Sequence, residues 1–304
     1  MSVAFAQKRI DFINKWPKSD LFPKEIEYKK KCDDFTDIGK LFTPFTLWYS
    51  DDEEYNKAIS SIIDALETMP YKPDKAFFYI FIGFENYSEQ LFSSTNITKR
   101  LKDFIDEVDQ DANRNSDLND IIKHLCSAIP IQLNIYFIDR IVTEPKVKQR
   151  ITENQRNNLI SDQYDLVEAI LRKYPDLNSS NVVSKRNAAC LFKKIFNQQS
   201  VCVDNYNCSP SRKLLLYFLF LGILYSLRND NAHGSSFSST KSSKTTFKRY
   251  AMNHFAYLAT YTFLIYLLIK KGDSALFSNR IKLLKDNVEE NVKEMKRFFG
   301  SNLK

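Results

Sequence analysis

The chain has 304 residues, enough for one large core or two small ones. With 43% apolar and 27% charged residues it belongs with soluble globular proteins, and only 6 Gly and 9 Pro argue for long helices and against many short strands. The net charge of +7 is uneven: residues 241–304 hold 13 Lys and Arg against 5 Asp and Glu, a net of +8, which leaves −1 for the first 240. A positive C-terminal quarter points to a polyanionic partner or to a solvated helix surface.

The start, MSVAFAQKRIDFINKW, lacks the apolar core of a signal peptide. The first 55 residues, which include Pro17 and Pro23, read as weakly structured. DDEEYNKAISSIIDALETM predicts a helix with an acidic first turn, stopped by Pro70. KAFFYIFIGFENYSEQLF, residues 75–92, predicts a central helix. Ile97, Leu101, Phe104, Ile105 and Val108 keep helical spacing. DQDANRNSDLND, residues 109–120, is polar and predicts a loop. The run IIKHLCSAIPIQLNIYFIDRIV resumes the helical pattern, with Pro130 starting or kinking a helix.

YDLVEAILRKY and RNAACLFKKIF predict two amphipathic helices separated by the loop PDLNSSN. SRKLLLYFLFLGILYSLRN, residues 211–229, predicts the most buried helix. GSSFSSTKSSKTT reads as a flexible loop, and FKRYAMNHFAYLATYTFLIYLLIKK as another core helix. A last helix follows from Phe277, Ile281, Leu284, Val288, Val292, Met295 and Phe299. No internal repeat, glycine-rich phosphate loop or β-hairpin signal stands out. The expected fold class is all-α, a helical bundle with additional N-terminal helices. The apolar runs 214–227 and 255–269 fall short of the roughly 20 residues that a membrane span needs, so they read as buried bundle helices with no membrane partner.

Candidate chemistry is sparse. The five cysteines are odd in number and lack a C-x-x-C pair, which argues against a disulfide framework or zinc site and suits a reduced, cytoplasmic protein. Asp109, Asp111, Asn113 and Asp120 resemble calcium-loop positions, but Arg114 stands where the sharp turn needs glycine. His124 and His254 sit in helical runs without a second ligand at metal spacing.

Arg228 and His233 differ. Five residues of unbroken helix rotate by about 500°, so the two side chains would point to separate faces. Asn229, Asp230 and Asn231 favour caps and turns, and Gly234 permits a sharply turned backbone, so the sequence predicts a helix break that draws Arg and His together. A guanidinium holds a phosphate in two-pronged fashion, and an imidazole of near-neutral pKa moves protons. Together they suit metal-free RNA cleavage with the 2′-hydroxyl as nucleophile. The same residue types also serve as plain helix C-caps.

LRNDNAHG resembles the signature of the HEPN superfamily (higher eukaryotes and prokaryotes nucleotide-binding), R-x(4–6)-H, often with Asn after the Arg. Arg228, Asn229 and His233 match its arginine, polar position and histidine, and His233-Gly234 its frequent HG. The resemblance implies an up-and-down helical bundle with the motif at the end of a core helix. It sets a HEPN-like domain at 73–304 behind an N-terminal helical extension at 1–72. It implies metal-independent endoribonuclease activity leaving a cyclic phosphate, no cofactor, and a role as toxin or antiviral defence effector. A homodimer with a composite active site and an antitoxin or regulatory partner follow from the same likeness. So does Glu85 as the counterpart of an assisting acidic residue. Arg228 is then expected to bind the scissile phosphate, His233 to transfer protons and Asn229 to orient the phosphate or shape the turn. Lys241, Lys244, Lys248 and Arg249 are expected to steer RNA by charge. The alternative reading is a non-catalytic helical module that binds RNA or protein.

Overall fold

The two most apolar stretches of the chain become its innermost helices. A computed structural model describes residues 7, 8, 10, 11, 14, 21–36, 40–152, 161–178, 181–232 and 242–304. In chain order its elements begin with α1 (Pro23–Thr36), α2 (Glu53–Thr68), α3 (Pro73–Leu91), α4 (Ile97–Arg114), α5 (Ser116–Ala128), α6 (Ile131–Thr143), α7 (Pro145–Thr152), α8 (Ser161–Lys173) and α9 (Val182–Phe196). A hairpin of β1 (Val201–Val203) and β2 (Tyr206–Cys208) follows. Then come α10 (Arg212–Tyr217), a π-helical stretch (Phe218–Leu224), α11 (Tyr225–Ala232), α12 (Phe247–Lys271) and α13 (Phe277–Phe299). The fold is all-α, as the composition predicts.

Helix α12 runs through the centre, with every residue from Tyr250 to Ile269 buried. It lies along α3 and against α13. Among the described residues it is the one single helix long and apolar enough to cross a membrane, and that apolar window is wholly covered by the rest of the protein. Helices α2 and α3 approach closely because Gly83 has no side chain: a Cβ there would stand 2.7 Å from the Ser61 Cβ.

One continuous hydrophobic cluster includes Tyr28 and Ile62 from the first 72 residues and Phe81, Phe220 and Phe263 from the remainder. The Tyr28 ring stacks on Tyr250 with centroids 3.7 Å apart. Phe104 meets Phe84, Phe220 and Phe263 edge-on at 5.1, 4.8 and 5.7 Å, which joins α3, α4, α12 and the π-helical stretch in one aromatic knot.

Four local expectations need correction. The first 55 residues contain a regular helix, α1. Its sequence, PKEIEYKKKCDDFT, carries almost no apolar stripe, yet Tyr28 and Cys32 are four residues apart and both bury against the bundle.

The polar stretch 109–120 is helical, interrupted only at Asn115. Tertiary partners satisfy its side chains. The Arg212 guanidinium donates to the Asp109 carboxylate at 2.8 Å, to Asn113 at 2.7 Å and to Asn119 at 3.0 Å. Tyr266 and Lys270 hold Asp111 at 2.8 and 2.7 Å, and Asn115 caps α5 by accepting from the Leu118 N–H. Asp109, Asp111 and Asn113, three of the residues that resemble calcium ligands, are thus committed to helix packing, and Asp120 pairs with Lys123 on its own helix.

A β-hairpin does form. Asp204 and Asn205 both adopt positive φ, 46° and 66°, as a two-residue type I′ turn requires, and Asp and Asn tolerate that region better than most residues. The motif helix also departs from expectation, since it runs on to Ala232.

Candidate functional site

The motif residues stand at the end of a helix whose earlier part is wholly buried. From Leu214 to Leu224 every side chain is inside. The helix widens to π geometry over Phe218–Leu224, and the Tyr225 N–H donates to the Phe220 carbonyl five residues back. Gly222 makes this passage possible, since a Cβ there would stand 2.3 Å from the Phe137 ring on α6. The Leu221 carbonyl is turned to the Nε of Arg150 on α7, at 2.9 Å. More residues per turn than in an α-helix rotate α11 relative to a plain continuation of α10.

That rotation distributes the α11 side chains among three neighbours, α3, α6 and α7. Arg228 points to α3, where its Nε and Nη2 donate to one oxygen of Glu85 at 3.0 and 2.6 Å. Its Nη1 donates to the Asn229 Oδ1 at 3.2 Å. The pair is partly open to solvent, the Arg228 side chain 24% and the Glu85 side chain 15% exposed. On the other side, Asp230 accepts from the Tyr136 hydroxyl at 2.9 Å and from the Arg140 guanidinium at 3.3 Å, both on α6. Ser226 accepts from Arg150 at 2.7 Å, and the Arg150 guanidinium lies 4.6 Å over the Tyr225 ring. Burial and the neighbouring Asp230 carboxylate push the Tyr136 hydroxyl well above its ordinary range, which keeps it a donor.

The helix passes through Asn229, Asp230 and Asn231 to Ala232, where the sequence predicts a break. Asp230 finds partners on α6 and Asn229 accepts from Arg228, so neither side chain competes for the helix backbone. His233, Gly234 and Lys241 lie outside the described residues, as does the loop up to 241.

The remaining basic residues singled out in the sequence stand elsewhere. Lys244 and Arg249 are exposed and Lys248 half-buried, around the start of α12. The next residue, Tyr250, stacks on Tyr28, whose hydroxyl donates to the Pro70 carbonyl just ahead of α3. Glu85 is twelve residues along α3 from Pro73, about 18 Å. Lys248 donates to the Lys304 main-chain oxygen at 3.1 Å, beside the end of α13.

His124 is a surface residue whose Nε2 lies 3.1 Å from Glu289 on α13. His254 is fully buried, which pushes its pKa down to about 3. Among the described residues no three His, Cys, Asp or Glu side chains gather as metal ligands would.

Ser226, Asp230, Tyr136, Arg140 and Arg150 form a second set of contacts that the sequence did not reveal. Asp230 reads locally as a turn residue, and nothing in KVKQRIT marks Arg150 as its neighbour's anchor. The pairing of Arg228 with Glu85 gives the acidic residue in GFENYSEQ a partner 143 positions away. No family model, curated protein or solved structure matches the chain.

Proposed function

We propose that this chain is a metal-independent endoribonuclease of the HEPN type, acting as a toxin or antiviral defence effector. The observation that carries the reading is the setting of Arg228. Its guanidinium sits, part-exposed, in the last described turn of a buried helix, with Glu85 and Asn229 fixing its plane. Three of its five N–H groups are engaged among the described residues, which leaves two for an anion. His233 follows Ala232 directly in sequence.

In this reading the 2′-oxygen bonds to phosphorus and the bond to the 5′-oxygen breaks. A cyclic phosphate and a 5′-hydroxyl end result. Arg228 neutralises the charge that builds on the phosphoryl oxygens, Asn229 supports its orientation, and His233 moves protons between the 2′- and 5′-oxygens. A two-fold dimer would bring a second His233 to the same phosphate, so that base and acid are separate groups.

A non-catalytic helical module that binds RNA or protein is favoured by one feature: the Arg228–Glu85 pair also works as a plain clamp between α11 and α3. The two readings part in one experiment. Labelled RNA is incubated with the purified protein in EDTA, beside His233→Ala and Arg228→Ala, and product ends are analysed. A ribonuclease yields cyclic phosphate ends, and each variant loses about a hundredfold or more in rate, His233→Ala with its stability unchanged and Arg228→Ala at a temperature where it is still folded. Absence of cleavage by the unaltered protein, or equal cleavage by His233→Ala, overturns the proposal.

A further inference from the structure

A second recognition feature, independent of the ribonuclease reading, lies along α12 and α13. Residues 40–52, which lead into α2, form neither helix nor strand. They run as an extended strap over the groove between α12 and α13. Thr43 is fastened to Asn291, and the Arg280 guanidinium lies 3.7 Å over the Trp48 ring. Those two anchors stand eleven residues apart on α13, about 16 Å, and the five steps of extended chain from Thr43 to Trp48 cover about the same length. Among the described residues, no main-chain group from 40 to 51 bonds to another main-chain group.

The groove grips the strap by its main chain instead. The Thr43 N–H donates to the Asn291 Oδ1 at 2.7 Å, and the side-chain amides of Asn291 and Asn287 donate back to the Thr43 carbonyl, each at 2.9 Å. The Phe45 N–H donates to the Tyr261 hydroxyl at 2.7 Å. Alternate N–H groups of an extended chain point to opposite sides, and the position between these two is Pro44, which has no N–H to leave unpaired. Thr43, ahead of the proline, is itself biased to the extended form. Asn291 and Tyr261 are each 1% exposed, so an empty groove would leave buried polar groups without these partners. Leu41 and Phe45 are buried, and Phe42 meets Tyr257 and Tyr261 edge-on at 4.9 and 5.1 Å.

We propose that the α12–α13 groove is a peptide-docking site, filled in cis by the strap, from which an extended segment of a partner protein with an aromatic-x-Pro-aromatic sequence displaces it. Hydrogen bonds to a peptide's main chain give affinity whatever its sequence, and the pockets for Phe42 and Phe45 give the choice. The strap can lift between fixed ends, because Tyr28 holds α1 on Tyr250 and Ile62 and Ala65 hold α2 in the core. A second copy of the chain fits less well. Exchange of the whole arm would draw α1 away and uncover Tyr28 and Cys32, 1% and 0% exposed. A tethered ligand acts at an effective concentration of about millimolar, so the partner competes with the strap rather than entering an open site.

The test is fluorescence anisotropy of a labelled peptide of residues 40–49 added to the full chain. Phe42→Ala with Phe45→Ala loosens the strap, and peptide affinity is expected to rise about tenfold or more over the unaltered chain. Asn291→Ala in that background is expected to lower it about tenfold or more. Absence of the rise, or of the fall, overturns the proposal. Dimers of the loosened variant that bind no peptide also overturn it and assign the groove to a second copy. Native-state hydrogen exchange of the unaltered chain decides the matter where the loosened variant does not fold. The Thr43 and Phe45 amides are expected to exchange about a hundredfold or more faster than those of Leu264 and Ile265 in α12, and faster still with excess peptide. Equal protection, or no response to peptide, shows a strap that opens only with the whole fold and overturns the proposal. Cleavage of RNA is measured separately and bears on none of these outcomes.

Discussion

Arg228 and Glu85 join α11 to α3 through a single ion pair. The two hydrogen bonds converge on one carboxylate oxygen, at 3.0 and 2.6 Å, and the pair is largely shielded from water. Removing one partner leaves the other charge in a poor solvent, which costs more than the pair gains over two neutral groups. Arg228→Ala and Glu85→Ala are each expected to destabilise the fold, with a coupling of about 1–3 kcal/mol in the double-mutant cycle. Urea denaturation of the four proteins measures it. Coupling near zero would mean that the pair holds nothing, and the case for Arg228 as an oriented guanidinium would weaken with it. Glu85→Gln keeps a hydrogen-bond acceptor and isolates the charge, so it should fall between Glu85→Ala and the unaltered protein.

The π-helical stretch decides where the motif faces at the level of the element. An α-helix through Phe218–Leu224 would rotate α11 and carry Arg228 away from Glu85. Gly222 permits the stretch by admitting the Phe137 ring. Gly222→Ala gains helix propensity, about 1 kcal/mol, but meets Phe137 at a distance no Cβ tolerates, and overpacking costs about 1–3 kcal/mol. A net loss of stability is expected in denaturant melts, with recovery on adding Phe137→Leu. If the double variant is no more stable than Gly222→Ala, the ring is not what the glycine accommodates. None of this was legible in LYFLFLGILYSL, whose uniform apolarity gives burial but no period. The long helices α3, α12 and α13 were legible because their apolar residues recur at helical spacing or run unbroken. Helix α1 and the 109–120 stretch were not, since Tyr28, Arg212 and Tyr266 hold them from far along the chain. The hairpin hid behind a turn of Asp204 and Asn205, without the glycine that usually marks one. At the site, Arg228 and Asn229 were readable as a motif, whereas the contacts of Asp230 and Ser226 depend on α6 and α7 folding beside them.

At the scale of the whole molecule, a few titrating groups lie deep inside, and these set a pH window for its stability. Cys32 and Cys126 are buried, and burial pushes both thiols up to about 12 from 9.0. They hold their protons more tightly folded than unfolded, so their contribution is whole below pH 9 and is lost as pH climbs toward 12. Tyr28 and Tyr257, pushed above their ordinary range by burial, act in the same direction once the unfolded chain ionises near 10. His254 works in the opposite sense. Its ring lies wholly inside beside Phe299, with no hydrogen-bond partner on either nitrogen, and burial pushes its pKa from 6.5 to about 3. The unfolded chain therefore binds this proton more readily. Stability is whole above pH 6.5 and is lost as pH falls toward 3, at about 1.4 kcal/mol per pH unit. By pH 5 the loss reaches about 2 kcal/mol, before most carboxylates titrate. His254→Leu removes the proton-binding ring and two unpaired polar atoms together. Its urea midpoint should match or exceed that of the unaltered protein at neutral pH and stay level where the latter declines between pH 6.5 and about 5. Superimposable acid limbs in the two proteins would show that the ring already reaches water, and that α12 is less tightly enclosed than its burial implies.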